Sequence, residues 1–266
     1  MAFVDAHKKI QEIIQTCEHD ADRFVGRMRE EHVPHISFSQ ISTVEFCPRR
    51  YYLQYVQQVE LDPIPDYFTK GKTLHQILAA FYSDTSINEN TFVLDWDEYI
   101  QAQFEPLHAK HIVNAIRVHQ ENAWQKQCVT AVEHPFVMMV DPSLPPMVGV
   151  IDLILKQNGT YTLVDHKTGR NFYTDNDLQV AIYAHFIEEA YGTDCRLFYD
   201  HYRWVNNLER IRKPAFQRVE VRSTAAAWPR YLKRIRCAYH EIAAIRNGNH
   251  AADSGECFRC PYRHVC

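Results

Sequence analysis

The chain has 266 residues, 46% of them hydrophobic and 23% charged, with a net charge of −4 and eight cysteines. That length buries one good core, alone or with a large insertion, and no apolar run approaches the ~20 residues of a membrane span. The opening MAFVDAHKKIQEIIQ has no signal-peptide pattern, so the expected setting is a reducing cytoplasm, where clustered cysteines bind metal rather than form a disulfide framework.

In chain order, residues 5–31 read as an amphipathic helix with Ile10, Ile13, Ile14 and Cys17 at helical spacing. EHVPHIS breaks it, a short helix follows over 39–46, and Pro48 starts another with Cys47 at its N-cap. GKTLHQILAAFY opens a further helix, and residues 92–130 are mostly helical. From 134 the runs PFVMMV, MVGVIDLIL, TYTLVDHK, CRLFYDHYRWV and FQRVEVR are β-branched or aromatic strands. DLQVAIYAHFIEEAYG between them is a helix ending at Gly192, and a long helix spans about 229–246. The fold class is mixed α/β with a helical N-terminal half.

Charge is uneven: residues 196–246 carry twelve Lys/Arg against four Asp/Glu. A basic segment in an acidic frame fits either phosphate contact or a solvated helix face. Arg203, Arg210, Arg212, Arg234 and Arg236 are its candidate phosphate contacts.

Asn158-Gly159 is a two-residue hairpin turn between two apolar runs. It pairs residues whose numbers sum to 317, so that Asp152 faces Asp165, and alternation puts Lys167 on the same face as Asp165. Opposed carboxylates repel. A divalent cation between them removes the repulsion, and the alternative is a solvated face on which Lys167 neutralises Asp165.

GVID, twelve residues and then DHK resemble the core of the PD-(D/E)XK nuclease superfamily, in its RecB-like branch. The resemblance implies a restriction-endonuclease-like mixed sheet flanked by helices. It implies Mg²⁺ or Mn²⁺ on Asp152, Asp165 and the His166 carbonyl, with Lys167 orienting the attacking water. QVAIY resembles the branch's Q-x3-Y motif, with Gln179 and Tyr183 on one helix face, and GKTLH its G-x3-H, which makes His75 a candidate metal ligand.

The chain closes on CFRCPYRHVC, three cysteines that want a fourth. SFSQISTVEFCPRRYYLQYV resembles the segment that supplies the first cysteine in iron–sulfur members of that branch, the AddB-like and CRISPR-associated exonucleases. Cys47, Cys257, Cys260 and Cys266 are then expected to hold a [4Fe–4S] cluster joining the N- and C-terminal parts. Four cysteines by themselves leave zinc equally open. Cys17, Cys128, Cys195 and Cys237 read as buried small apolar residues.

The implied organisation is a helical extension over 1–36, then a nuclease domain over 37–266 with a helical insertion at about 84–132. The implied activity is metal-dependent cutting of DNA, often as an exonuclease on single-stranded ends, in repair or CRISPR adaptation. With no G-x4-GK-[ST] loop in the chain, any helicase comes from a partner. The competing reading is a DNA-binding scaffold that keeps the fold and the cluster without cutting. Loss of an acid or of the lysine would mark it, and all three are present.

Overall fold

The computed structural model describes residues 3–18, 20–61, 64–84, 91–172, 177–193, 195–221, 227–249, 251–252, 255, 257 and 260–266. The chain forms two compact units. One comprises Met1–Pro65, Pro135–Val150 and Thr224–Cys266, the other Asp66–His134 and Ile151–Ser223.

The first unit opens with two helices where the periodicity predicts one, α1 (Val4–Thr16) and α2 (Ala21–Glu30). The break has a local cause: Glu18 takes a left-handed φ of 54°, and Asp20 caps α2 by accepting from the Arg23 N–H at 2.8 Å. The expected apolar face holds, since Ile10, Ile13, Ile14 and Cys17 are buried with Phe24, Met28 and Val148. A two-residue strand β1 (Ile36–Ser37) pairs in parallel with the first residues of β3 (Met147–Gln157). Ser37 caps α3 (Phe38–Phe46), and Cys47 caps α4 (Pro48–Tyr51), its Sγ accepting from the Arg50 N–H at 3.4 Å. The long α9 (Trp228–Arg246) is tied down by Arg234 on Glu45, Arg236 on Asp141, and Arg246 on the Tyr51 hydroxyl. Gly149 has a steric reason: a Cβ there would sit 2.6 Å from the Phe136 ring, on strand β2 (Val129–Met138).

The second unit contains α5 (Asp66–Ser83), α6 (Phe92–Gln103), α7 (Pro106–Asn122), β4 (Thr160–Gly169), α8 (Asp177–Tyr191), β5 (Cys195–Arg203) and β6 (Phe216–Val221). The helical insertion ends earlier than expected, because the β-branched VTAV already belongs to β2 and the Thr130 hydroxyl donates to the Ile154 carbonyl at 3.1 Å. The start of that insertion, 85–90, lies outside the described residues. Asn158 and Gly159 form the expected turn with φ of 50° and 83°, and the register runs from Gln157↔Thr160 to Leu153↔Val164. β4 pairs in parallel with β5 across the α8 crossover, and β5 in antiparallel with β6, which makes the sheet mixed. Gly192, at φ 63°, closes α8 by donating to the Glu188 carbonyl. Leu74, Ile77, Phe81, Ile112, Ile116, Leu153, Val164 and Tyr202 form the core that backs the sheet.

Of the four remaining cysteines only Cys17 is buried; Cys128 and Cys195 are half-buried and Cys237 is exposed, so small size alone did not decide their burial.

One buried charge anchors β5 and β6. Asp200 is fully buried, accepts from Arg218 at 2.7 and 2.8 Å and from the Trp124 indole at 2.9 Å, and Arg218 also reaches the Asn122 carbonyl. Arg218→Met leaves that carboxylate buried without a counter-charge and is expected to cost about 3–5 kcal/mol in urea unfolding. A double variant, Asp200→Leu with Arg218→Met, should recover much of the loss.

Candidate active site

Asp152 on β3 and Asp165 and Lys167 on β4 come together through the hairpin register. The β3–β4 pairing ends at Leu153↔Val164, and one residue further the Asp152 side chain takes over, accepting from the His166 N–H at 2.6 Å. The Lys167 ammonium lies 2.7 Å from Asp165 Oδ2 and donates to Gln179 Oε1 at 2.8 Å. Gln179 Nε2 donates to Asp165 Oδ1 at 2.8 Å and to the Tyr183 hydroxyl at 2.7 Å. The chemistry fixes the amide's orientation, because a lysine only donates and a carboxylate only accepts. One turn of α8 therefore holds both the lysine and the second acid, which is why glutamine and tyrosine sit four residues apart. Burial, then the Asp165 and Asp152 charges, push the Tyr183 hydroxyl well above its ordinary range, so it stays protonated.

On α5, His75 Nδ1 lies 3.6 Å from Asp152 Oδ2 and 3.8 Å from Glu133 Oε1. His75, Glu133 and Asp152 are, among the described residues, the one group of three such side chains with donor atoms all within 4.8 Å of one another. Glu133 escaped the sequence reading, which began its strand at Pro135. The signal was an acid among the β-branched residues of VTAVEH. Its φ of 46° is rare for a residue with a Cβ, a strain that clusters at functional sites.

Burial opposes a charged ring at His75, but the carboxylates of Asp152, Glu133 and Asp165 outweigh it and lift His75 to about 9. Burial pushes Asp152 up to about 7; Asp165 and Glu133 add to the rise, while the His75 cation and the His166 N–H oppose it. The His166 ring is buried, edge-on to His75 and His119 with centroids 6.1 Å apart in each case. Burial and the His119, His75, Arg218 and Lys167 charges hold it well below the usual imidazole range.

The cysteines are not gathered as tightly as this trio. Cys47 and Cys260 are buried, Cys257 and Cys266 exposed. Cys260 packs with Leu53, just past α4, and its N–H donates to the Cys257 carbonyl at 3.0 Å, while the Arg49 N–H donates to the Ala252 carbonyl. Three of the candidate phosphate-binding arginines have protein partners: Arg203 bonds the carbonyls of Pro214 and Lys213, Arg234 bonds Glu45, and Arg236 bonds Asp141. Arg210 and Arg212 are not buried.

A family model described as the PD-(D/E)XK nuclease superfamily matches residues 35–266. The chain belongs to that superfamily. No curated protein matches it. Among solved structures, a candidate exonuclease from Eubacterium rectale is similar at 12% identity, over 87% of this chain and 88% of that one, with a TM-score of 0.57. That likeness extends to the fold, a mixed sheet flanked by helices. The protein SSO0001 is similar at 15% identity over 91% of this chain and 92% of that one, at a TM-score of 0.40.

Superfamily members use Mg²⁺ or Mn²⁺, and the donors fit a hard cation: the carboxylates of Asp152 and Glu133 with one imidazole, and Asp165 near enough for its charge to help raise the Asp152 pKa. Binding requires Asp152 ionised and His75 neutral. Mn²⁺ affinity by calorimetry is therefore expected to climb as pH rises through about 7 and on through about 9, with protons released on binding. Asp152→Asn should abolish binding, and Glu133→Gln should weaken it about 10–100-fold.

Proposed function

We propose that the protein is a divalent-metal-dependent deoxyribonuclease of the RecB-like branch, acting as an exonuclease on single-stranded DNA ends. The observation that carries this reading is the Gln179 bridge, which holds the ammonium of Lys167 against Asp165 beside the Asp152, Glu133 and His75 group. Asp152, Asp165, the His166 carbonyl and His75, with Glu133 beside them, would hold a divalent cation, which would supply Lewis-acid charge at the scissile phosphate and lower the pKa of the attacking water.

The chain's own side chains do the rest. Lys167, fixed between a carboxylate and an amide oxygen, orients the water and meets the negative charge that develops on the phosphoryl oxygens. Gln179 keeps that lysine from swinging away and shares the second acid with it. Tyr183, accepting from Gln179, fixes the amide's rotation. His75 and Glu133 set the charge that Asp152 presents to the cation.

The same reading gives Cys47, Cys257, Cys260 and Cys266 a [4Fe–4S] cluster. It is supported by the cysteine spacing, by the Cys47 sulfur at a helix N-terminus, which favours a thiolate, and by Cys260 packing beside Leu53. The nuclease domain is residues 37–266, with 1–36 as a packing extension, working in the cytoplasm with a helicase or a repair or CRISPR-adaptation complex.

Anaerobically purified protein with Mg²⁺ or Mn²⁺ is expected to degrade end-labelled single-stranded DNA, and Lys167→Ala to slow it at least about a hundredfold. Intact DNA with the wild type overturns the enzyme. Brown protein with acid-labile sulfide is expected from the same preparation, and colourless protein with bound zinc sinks the cluster.

A further inference from the structure

Lys70 is 6% exposed, yet among the described residues no carboxylate pairs with its ammonium. Its contacts are the His111 ring, with Nδ1 at 3.3 Å, and the Trp204 face, with the centroid at 5.1 Å. His111 Nε2 is 2.6 Å from Asn206 Oδ1, an acceptor, so the ring donates there and turns its lone pair toward Lys70. The imidazole is thus neutral and offers the lysine no charge.

A second cation makes the arrangement more costly. Arg170, exposed just past the strand that carries Asp165 and Lys167, repels the Lys70 ammonium and adds to burial in lowering the lysine's pKa, while the Asp66 carboxylate one turn earlier on α5, which makes no ion pair with Lys70, raises it. The two cations meet where α5 passes the end of β4, since a Cβ at Gly71 would be 3.3 Å from the Thr168 hydroxyl. Lys70 precedes His75 by five residues, about 7.5 Å along the helix. Towards the start of α5, Tyr67 and Phe68 are exposed at 53% and 41%, with ring centroids 4.4 Å apart.

We infer that Lys70 and Arg170 bind a backbone phosphate of single-stranded DNA next to the scissile one, with Tyr67 and Phe68 as the platform on which a neighbouring unpaired base stacks. The inference rests on the nuclease reading for its ligand and deepens it. A buried ammonium and an exposed guanidinium with a gap in charge between them suit one phosphodiester. Exposed rings suit bases only when these are unpaired.

The test is fluorescence anisotropy of a short labelled oligothymidylate with metal chelated, so that nothing is cut, across a salt series. Each phosphate contact contributes about 0.7 to the salt slope for single strands. Lys70→Met and Arg170→Gln are each expected to lower the slope by about 0.7 and weaken binding about fivefold at 0.1 M salt. Lys70→Arg should retain the slope, and thermal melting checks that each variant is folded. Phe68→Ala should weaken binding of oligothymidylate and leave an abasic oligomer of equal charge unaffected. Wild-type affinity and slope in folded Lys70→Met and Arg170→Gln overturn the phosphate subsite, and equal loss on both oligomers with Phe68→Ala overturns the stacking. Cutting with Mg²⁺ is scored separately. Binding lost in the variants with no cutting by the wild type removes the nuclease reading and leaves the subsite, and cutting with unchanged binding does the reverse.

Discussion

The two-residue turn at Asn158-Gly159 is the constraint on which the site depends. Both residues take positive φ, the geometry that matches the right-handed twist of the flanking strands. A slip of one residue would flip every side chain on β4 to the other face. Lys167 would then lose Gln179, and Val164 would leave the core it shares with Leu153 and Tyr202. The register that buries the core is thus the one that assembles the charges, and the fold cannot form with the chemistry out of phase.

Within that register the charges are held by neutral groups. The Lys167–Asp165 ion pair, at 2.7 Å, would by itself be free to rotate. The Gln179 amide prevents this by engaging one oxygen of Asp165 and the ammonium together. The cost appears on the other side of the site, where His75, Glu133 and Asp152 crowd together: the carboxylate charges raise the His75 pKa against burial, and burial raises that of Asp152. On the proposed reading, a cation bound there would replace protons that the protein holds against electrostatic strain.

Most of the frame was legible in the sequence because it rests on local rules. The NG turn, the Pro48 helix start with Cys47 at its cap, and Gly192 after α8 are each set by one or two residues with unusual backbone preferences. Periodicity also found the face of Ile10, Ile13 and Ile14, though it merged two helices, since a left-handed Glu18 carries no sequence mark. The hairpin register alone put Asp152, Asp165 and Lys167 together, the resemblance of QVAIY and GKTLH added Gln179, Tyr183 and His75, and the fold gathers all six. Glu133 was not, because its place depends on β2 beginning at Val129, and the mixed polar and β-branched residues before Pro135 do not announce a strand.

Charge density misled in an instructive way. The basic stretch 196–246 has an excess of cations, but Arg196 pairs with Glu220, Arg203 with two carbonyls, Arg218 with Asp200, Arg234 with Glu45 and Arg236 with Asp141. An arginine whose fork is filled by a carboxylate or carbonyl adds structure and little field, so counting residues overstates what a phosphate would meet. Lys70 and Arg170 lie in stretches of unremarkable charge, and composition gives them no weight. What distinguishes Lys70 is that, among the described residues, no carboxylate forms an ion pair with its buried side chain, a property of packing and therefore of the fold. On the proposed reading, a protein of negative net charge would meet a polyanion through a few well-placed cations more than through its total charge.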